Sequence, residues 1–189
     1  MKTVKSILIA VVILGSTAFA QAQTKKSIDT GVSSINWEGK KVLGSHTGTI
    51  AFSDGVIEMD GETITGGKFT VDMSSINVTD LKAGEGKEKL EGHLKSDDFF
   101  GVTNYPKATL EFTKVQKMSG GYEVVADLTI KGKTEPIYFD LATTKNTATT
   151  SLKVDRTKYN VRYGSGSFFD GLGDKTISDN FNLDVTLKF

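Results

Sequence analysis

The two histidines, His46 and His93, are the residues best suited to proton transfer or metal binding. A catalytic zinc site usually takes three protein ligands, so both rings would have to meet a carboxylate such as Glu91 or Asp97. No HExxH or comparable spacing favours that arrangement. The chain also lacks cysteine, which excludes thiol catalysis, disulfide exchange and cysteine-ligated metals. We therefore expect neither a metal nor another cofactor.

Carboxylates are the second group that could carry chemistry. Four lie close together in the sequence, namely Glu88, Glu91, Asp97 and Asp98. A glycosidase needs two carboxylates facing each other across a cleft, whereas neighbours on one short helix usually form a solvated face. The run Gly164–Ser167 has the wrong order for a GxSxG nucleophile elbow. Because an acid and a base can come from distant strands, a hydrolase or isomerase acting on an amphiphile, with His46 or His93 as its base, stays an alternative.

The aromatic side chains indicate binding rather than catalysis. The chain has 11 Phe, 5 Tyr and 1 Trp, and two pairs, Phe99-Phe100 and Phe168-Phe169, fall in segments without strand character. Apolar pairs in a connecting segment must be buried against something. They either complete a filled core, as in a structural β domain, or line and cover a cavity, and the sequence leaves both open.

The segments that position these residues are mainly strands, because apolar residues recur at every second position. This alternation runs through residues 69–73, 122–130, 137–141 and 181–189. A period of two predicts half-buried strands in an antiparallel sheet. We expect an all-β fold of about eight strands, which close readily into a barrel. A β-sandwich is the runner-up.

Glycine-containing turns are expected to separate the strands. Residues 131–134 predict a hairpin, and residues 119–121 are a turn signal ahead of the strand that begins at Tyr122. Ser53–Gly55 predicts a turn between one strand near 46–52 and another near 56–59.

One segment departs from the strand pattern and predicts a short helix over Gly86–Lys95. It is rich in Lys, Glu and Leu, and Leu90 and Leu94 share one face at a spacing of four residues. We expect this helix to cap one mouth of the barrel. Ser96 and Asp97 follow it, and Arg156 is the expected partner of the Asp97 carboxylate.

The first 22 residues resemble a secretory signal peptide and are not expected to join the fold. Lys2 and Lys5 precede the apolar run 7–14, and Ala18-Phe19-Ala20 is a small-x-small cleavage site. The apolar run is shorter than the roughly 20 residues that span a bilayer. We expect a periplasmic or secreted protein, with residues 23–189 as one domain and no integral membrane segment after cleavage. The balance of 23 basic and 23 acidic residues gives no indication of a nucleic-acid partner.

Several spaced motifs resemble the YceI-like family. They are Ile35–Lys40, Gly44–Gly48, Gly66–Ile76, Gly92–Phe100 with Tyr105–Ala108, Asp127–Thr134 and Asp155–Tyr159. The resemblance covers nearly all of residues 23–189. It implies an eight-stranded antiparallel, lipocalin-like β-barrel that binds a polyisoprenoid or another long-chain apolar lipid. Members of the family are often dimeric, so the resemblance also implies a homodimer as one expected state.

The strand faces and the helix give two sets of candidate binding residues. Apolar side chains expected to touch the lipid are Trp37, Phe52, Phe69, Val71, Met73, Leu90, Leu94, Phe99, Phe100, Phe112, Leu128, Ile130, Phe139 and Leu141. Polar residues expected at the rim or in the lid are His46, His93, Ser96, Asp97 and Arg156. No catalytic residue is assigned.

Overall fold

The computed structural model describes residues 23–189, and the expected signal peptide lies outside them. Nine strands, one α-helix and two short 3-10 turns make up the fold. In chain order they are β1 (Thr24–Ser27), β2 (Ser34–Lys41), β3 (Gly44–Asp60), β4 (Thr63–Val78), α1 (Lys87–Lys95), β5 (Lys107–Met118), β6 (Gly121–Ile130), β7 (Lys133–Thr144), β8 (Thr147–Asp155), the turns Arg156–Tyr159 and Gly173–Lys175, and β9 (Ile177–Lys188).

Strands β2 to β9 form a closed antiparallel barrel, which confirms the predicted fold. The hydrogen-bonded order is β3-β2-β9-β8-β7-β6-β5-β4, and pairing of β4 with β3 closes it. The extra strand β1 pairs with the second half of β3, with Thr24 opposite Met59. Its four side chains are all exposed. A strand without a buried face carries no apolar alternation, so the sequence pattern could not predict it.

The turn expected at Ser53–Gly55 is wrong, because β3 runs unbroken through it. The pairing with β4 shifts register between Phe52 and Asp54, so the extra residue is absorbed as a β-bulge. The glycine serves close packing: a Cβ on Gly55 would lie 2.7 Å from Cδ1 of Ile28 and 2.8 Å from the Phe69 ring. A bulge bends the strand without ending it, which suits a closed barrel.

Packed side chains fill the half of the barrel farthest from α1. Four rings form a chain across it, with centroid distances of 6.3 Å from Phe52 to Phe69, 5.5 Å from Phe69 to Phe112 and 5.9 Å from Phe112 to Phe139. The Tyr122 hydroxyl, also buried there, accepts a hydrogen bond of 3.0 Å from the backbone N–H of Ile64. This end of the barrel is therefore closed by its own core.

Helix α1 sits over the opposite end of the barrel and confirms the predicted helix to within one residue. Glu91 Oε1 accepts the backbone N–H of Val78 at 2.8 Å, and Lys87 Nζ donates to Asn77 Oδ1 at 2.9 Å. Both contacts fix the helix to the last residues of β4. We call this end of the barrel the mouth, and residues 84–101 the lid segment.

Strands β7 and β8 pair over just three residues each, from Ala142–Thr149 to Thr144–Thr147. Nearer the mouth, the 3-10 turn Arg156–Tyr159 packs beside β7 instead. Tyr159 is almost fully buried, and this burial raises the pKa of its hydroxyl to about 12.

Candidate functional site

A cavity of about 680 Å³ lies inside the barrel between the packed half and the lid segment. Its wall is mostly apolar and comes from β2, β3, β4, β5, β6 and β9. Lining side chains from these strands are Ile35, Trp37, Ile50, Val71, Met73, Ile76, Ala108, Leu128, Ile130, Phe181 and Leu183. Alternation along each strand turns these residues inward, so the cavity follows directly from the barrel's period of two.

Trp37 forms one wall of the cavity because the facing strand provides space for it at Gly48. The two residues pair across β2 and β3, and the indole Nε1–H donates to the carbonyl of Thr49 at 3.2 Å. A Cβ on Gly48 would overlap both the Trp37 ring and the backbone oxygen of Asn77. Glycine is required here by the close approach of the indole.

The lid segment covers the cavity with Leu90, Leu94, Phe99 and Phe100. The Phe99 and Phe100 rings meet edge to face at 5.2 Å, and Phe100 meets Phe181 of β9 at 6.3 Å. Behind them Lys131 Nζ donates to the carbonyl oxygens of Asp97 at 2.8 Å and Phe99 at 2.6 Å. The lid is therefore tied both to the barrel wall and to the β6–β7 turn.

His93 brings a polar atom into this otherwise apolar lid. Its ring packs against Tyr163 at 4.4 Å and Phe99 at 5.6 Å between centroids. Its Nε2 atom is buried and has no hydrogen-bond partner among residues 23–189. His93 lines the cavity, but this nitrogen is enclosed by its neighbours and does not face the cavity itself.

Arg156 does not pair with Asp97, so that expectation is wrong. Its guanidinium is buried and donates to four backbone carbonyls, with N–O distances of 2.8 Å to Ser178, 2.8 Å to Val161, 2.9 Å to Tyr163 and 3.0 Å to Ile177. Its charged partner is Asp179, at 3.6 Å from Nη2. These contacts join β9 to the loop that follows the Arg156–Tyr159 turn. A carboxylate at position 97 is not needed because Asp179 and the carbonyls already satisfy the guanidinium.

Asp97 instead accepts a hydrogen bond of 3.2 Å from Asn104, within the connection between α1 and β5.

The pKa of Asp179, the acid that Arg156 does contact, is subject to opposing effects. Partial burial acts to raise the pKa of its carboxyl, but hydrogen bonds from Ser165 and Ser167 and the charge of Arg156 outweigh it. The net pKa of Asp179 is therefore below its usual value, and the ion pair persists at neutral pH.

Charged residues surround the mouth of the cavity. Lys40, Lys41, Lys89 and Lys175 line it, against a single lining carboxylate, Asp174. Lys40 pairs with Glu38 at 3.2 Å. The other three lysines have no carboxylate oxygen within 4.0 Å in the described part of the chain. The mouth thus presents ammonium groups that remain available to an anion.

His46 also lies at the mouth, and its Nδ1 is 2.8 Å from Asp80 Oδ2. Partial burial acts to raise the pKa of Asp80, but the hydrogen bonds from the His46 ring and the Thr47 N–H lower it overall.

Residues 23–189 contain no group of three or more His, Cys, Asp or Glu side chains placed to hold a metal ion. They also contain no helix long and apolar enough to cross a membrane.

The predicted binding residues divide into two groups in the structure. Those that line the cavity are Trp37, Val71, Met73, Leu90, Leu94, Phe99, Phe100, Leu128, Ile130, His46, His93 and Arg156. Those outside its lining are Phe52, Phe69, Phe112, Phe139, Leu141, Ser96 and Asp97. The first five of the latter belong to the packed half of the barrel. Whether any of these residues touches a lipid stays a prediction.

Several lining residues were missed by sequence reasoning. Phe181 and Leu183 lie on the recognised alternating face of β9, so the signal for them was present. Tyr163 and Ile177 had no comparable signal, because they reach the cavity from the irregular segment and the first residue of β9.

The barrel and its site define a class: a closed antiparallel barrel with one apolar cavity, one packed end and one covered mouth. A family model described as the YceI-like domain matches residues 27–189, and the chain belongs to this family. Protein YceI from Shigella flexneri is 32% identical to it over 90 residues, which are 48% of this chain and 44% of that protein. The match thus spans less than half of this curated relative.

Solved structures show the same fold at low sequence identity. BcnA from Burkholderia cenocepacia superposes with a TM-score of 0.67 and 23% identity, covering 85% of this chain and 98% of that one. A domain from Saccharophagus degradans, described as a polyisoprenoid binding domain implicated in plant cell wall breakdown, superposes with a TM-score of 0.57 and 17% identity. It covers 88% of this chain and 97% of its own.

Proposed function

We propose that this protein binds a long-chain apolar lipid of the polyisoprenoid type inside the barrel and carries or sequesters it. The apolar cavity of about 680 Å³ is the observation that supports this most directly. Its volume lies within the roughly 300–1,000 Å³ typical of small-molecule sites. The polyisoprenoid binding described for the Saccharophagus degradans domain of the same fold agrees with this proposal.

Hydrophobic burial is large enough to support such binding without strong polar contacts. Each buried methylene contributes about 0.8 kcal/mol, so one five-carbon unit contributes about 3–4 kcal/mol before costs. Association costs about 4–15 kcal/mol, and micromolar affinity needs about 8 kcal/mol net. About four buried units reach that level when the cost of association is near the lower end of its range. Discrimination between chain lengths should be weak.

The polar end of the lipid is expected at the mouth. Lys41, Lys89 and Lys175 favour an anionic head such as a phosphate, since a buried or half-buried anion needs charged donors. The apolar tail would then run toward Met73 and Leu183, away from the lysines.

Two buried methionines, one in the cavity wall and one in the packed half, give a matched test of tail binding. Met73 lines the cavity, whereas Met59 belongs to the packed half, and their exposures are 5% and 6%. Either change to Ala should cost about 2–5 kcal/mol of unfolding free energy. Met73→Ala should in addition weaken binding of a fluorescent prenyl lipid, while Met59→Ala should not. Equal lipid affinity in both variants and the unmodified protein would contradict the proposal.

A second candidate function, proton transfer on an amphiphile, rests on the hydrogen-bonded His46–Asp80 pair at the mouth. It predicts that prenyl esters or similar amphiphiles are converted by the purified protein and that His46→Gln abolishes the conversion. Recovery of unchanged lipid after long incubation favours binding alone.

We infer that the mature protein is exported and begins near Gln21 or Gln23. Lys2, Lys5, the apolar run 7–14 and Ala18-Phe19-Ala20 support this, although they lie outside the described residues. N-terminal sequencing of the protein from the periplasm and the medium should find the shortened chain. A retained Met1 in the exported fraction would contradict the inference.

A further inference from the structure

Exposed apolar side chains concentrate around the mouth of the cavity. Residues 23–189 contain eight large hydrophobic side chains that are exposed, and six lie at this end: Val42, Leu43, Tyr105, Tyr163, Phe168 and Phe169. The expectation that the Phe168-Phe169 pair is buried is therefore wrong. Val42 and Leu43 form the tip of the β2–β3 hairpin, between Lys41 and Gly44. Exposed apolar groups clustered on one surface, unlike scattered single ones, mark a site of interaction.

The hairpin tip and the loop bearing the Phe pair form one continuous rim. The backbone N–H of Val42 donates to the carbonyl of Thr176 at 3.2 Å, and Ile177 N–H donates to Gly164 at 2.8 Å. The N–H groups of Phe168 and Phe169 both donate to the carbonyl of Ser165, at 3.2 and 3.1 Å. These bonds hold the apolar side chains in one place although water surrounds them. We call Val42, Leu43, Phe168 and Phe169 the apolar rim.

Cations stand directly beside the apolar rim. Lys41 and Lys175 lie next to Val42 and Thr176 in the chain, and Lys89 lines the mouth from α1. The Arg162 guanidinium lies 4.7 Å from the centre of the Phe168 ring. Apolar side chains flanked by Lys and Arg are what binds a protein to the interface of an anionic bilayer, because the tips enter the headgroup layer while the cations meet lipid phosphates.

We propose that the apolar rim and its flanking cations dock this protein on the surface of an anionic lipid bilayer, with the mouth of the cavity facing the lipids. The proposal rests on the proposed function, since a long apolar lipid resides in bilayers and must pass between bilayer and cavity without crossing water. Docking mouth-down shortens that passage to the thickness of the lid segment. Lys41, Lys89, Lys175 and Arg162 outnumber the carboxylates Asp170 and Asp174 of the rim loop, and these cations would meet the negative surface of the leaflet.

Flotation with vesicles tests this directly on the lipid-free mature protein. Vesicles of phosphatidylglycerol and phosphatidylcholine in equal parts should carry the protein, vesicles of phosphatidylcholine alone should carry far less, and high salt should release it. The double variant Leu43→Ser, Phe169→Ser should partition about tenfold more weakly, because two side chains of 74% and 50% exposure lose their insertion. Tyr138→Ser is the matched control, since Tyr138 is 75% exposed on the barrel wall away from the mouth, and it should float as the unmodified protein does.

Failure of docking and failure of lipid binding are distinguishable. Neither Leu43 nor Phe169 lines the cavity, so the double variant should bind a water-soluble fluorescent prenyl probe with unchanged affinity in solution. Equal flotation of the double variant and the control overturns the docking proposal, and so does a protein that does not float on anionic vesicles. Analytical ultracentrifugation tests whether the rim instead joins two copies. A dimer that the double variant separates, in a protein that does not bind vesicles, overturns the membrane assignment in favour of a dimer interface.

Discussion

Arg156 should be the most costly single side chain to remove from the mouth. Its guanidinium satisfies four backbone carbonyls and faces Asp179, and it is 2% exposed. Arg156→Met keeps much of the apolar stem but leaves the four carbonyls without their donor and the carboxylate of Asp179 without its charged partner. Hydrogen bonds to charged groups contribute about 1.5–3 kcal/mol each, but losses within one network do not add. Breaking a buried pair typically costs about 3–5 kcal/mol, which is the loss we expect.

Urea denaturation followed by the fluorescence of Trp37, the single tryptophan, measures this loss. Arg156→Lys should lose less than Arg156→Met, because an ammonium restores the charge and up to three of the hydrogen bonds. Arg162→Met is the matched control: Arg162 is exposed, and its removal should change stability by less than about 0.5 kcal/mol. Hydrogen exchange should also accelerate over residues 156–179 in the Arg156 variants. A loss below about 1 kcal/mol with unchanged exchange would refute the role of Arg156 as the link between β9 and the mouth loop.

Two further predictions follow from other contacts. Gly48→Ala should destabilise the barrel by about 1–3 kcal/mol, because its Cβ would overlap the Trp37 ring and the backbone oxygen of Asn77. Gly39→Ala on the paired strand is the control: its Cβ meets nothing within 4 Å, so thermal melts should show no loss of stability. The lowered pKa of Asp179 means that its contribution to stability is present above the unfolded-state pKa of about 3.9 and is lost as the pH falls through the lower folded-state value. Asp179→Asn should therefore be less stable at neutral pH and show a flatter loss of stability below about pH 4; a parallel acid profile would contradict this.

The strands were predictable from the sequence because burial on one face imposes alternation. β6 alternates in both residue type and burial, whereas β9 alternates in residue type although most of its residues are half-buried. The division of the interior into a packed half and a cavity was not predictable. Met73 and Phe139 sit on the same kind of alternating face, yet Met73 lines the cavity while Phe139 packs against Phe112 at 5.9 Å. That difference depends on which rings converge from four different strands, and alternation records only the direction in which each side chain points.

The partner of Arg156 was unpredictable for a related reason. Opposite charge made Asp97 a reasonable candidate, but any of several carboxylates met the same criterion. The fold selects Asp179 because β8 and β9 are paired neighbours. β8 ends just before Arg156 and β9 begins just before Asp179, so both residues lie at the mouth on adjacent strands. Pairing of neighbouring strands, rather than distance along the chain, sets which charges meet.

In the proposed function, the packed end of the barrel leaves one entrance, and the hydrogen bonds of Arg156 hold the loop at that entrance in place. The chain of rings from Phe52 to Phe139 closes one end, so any ligand must enter and leave through the other. The apolar rim there has to stay exposed to meet a membrane and cannot be held in place by its own burial. Its rigidity must come from polar contacts beneath it, and Arg156 supplies them by binding the carbonyls of Val161 and Tyr163 on one side and of Ile177 and Ser178 on the other. Burying an arginine in a barrel costs free energy of desolvation. At this position the cost is offset, because its hydrogen bonds fix the backbone that carries an exposed apolar surface.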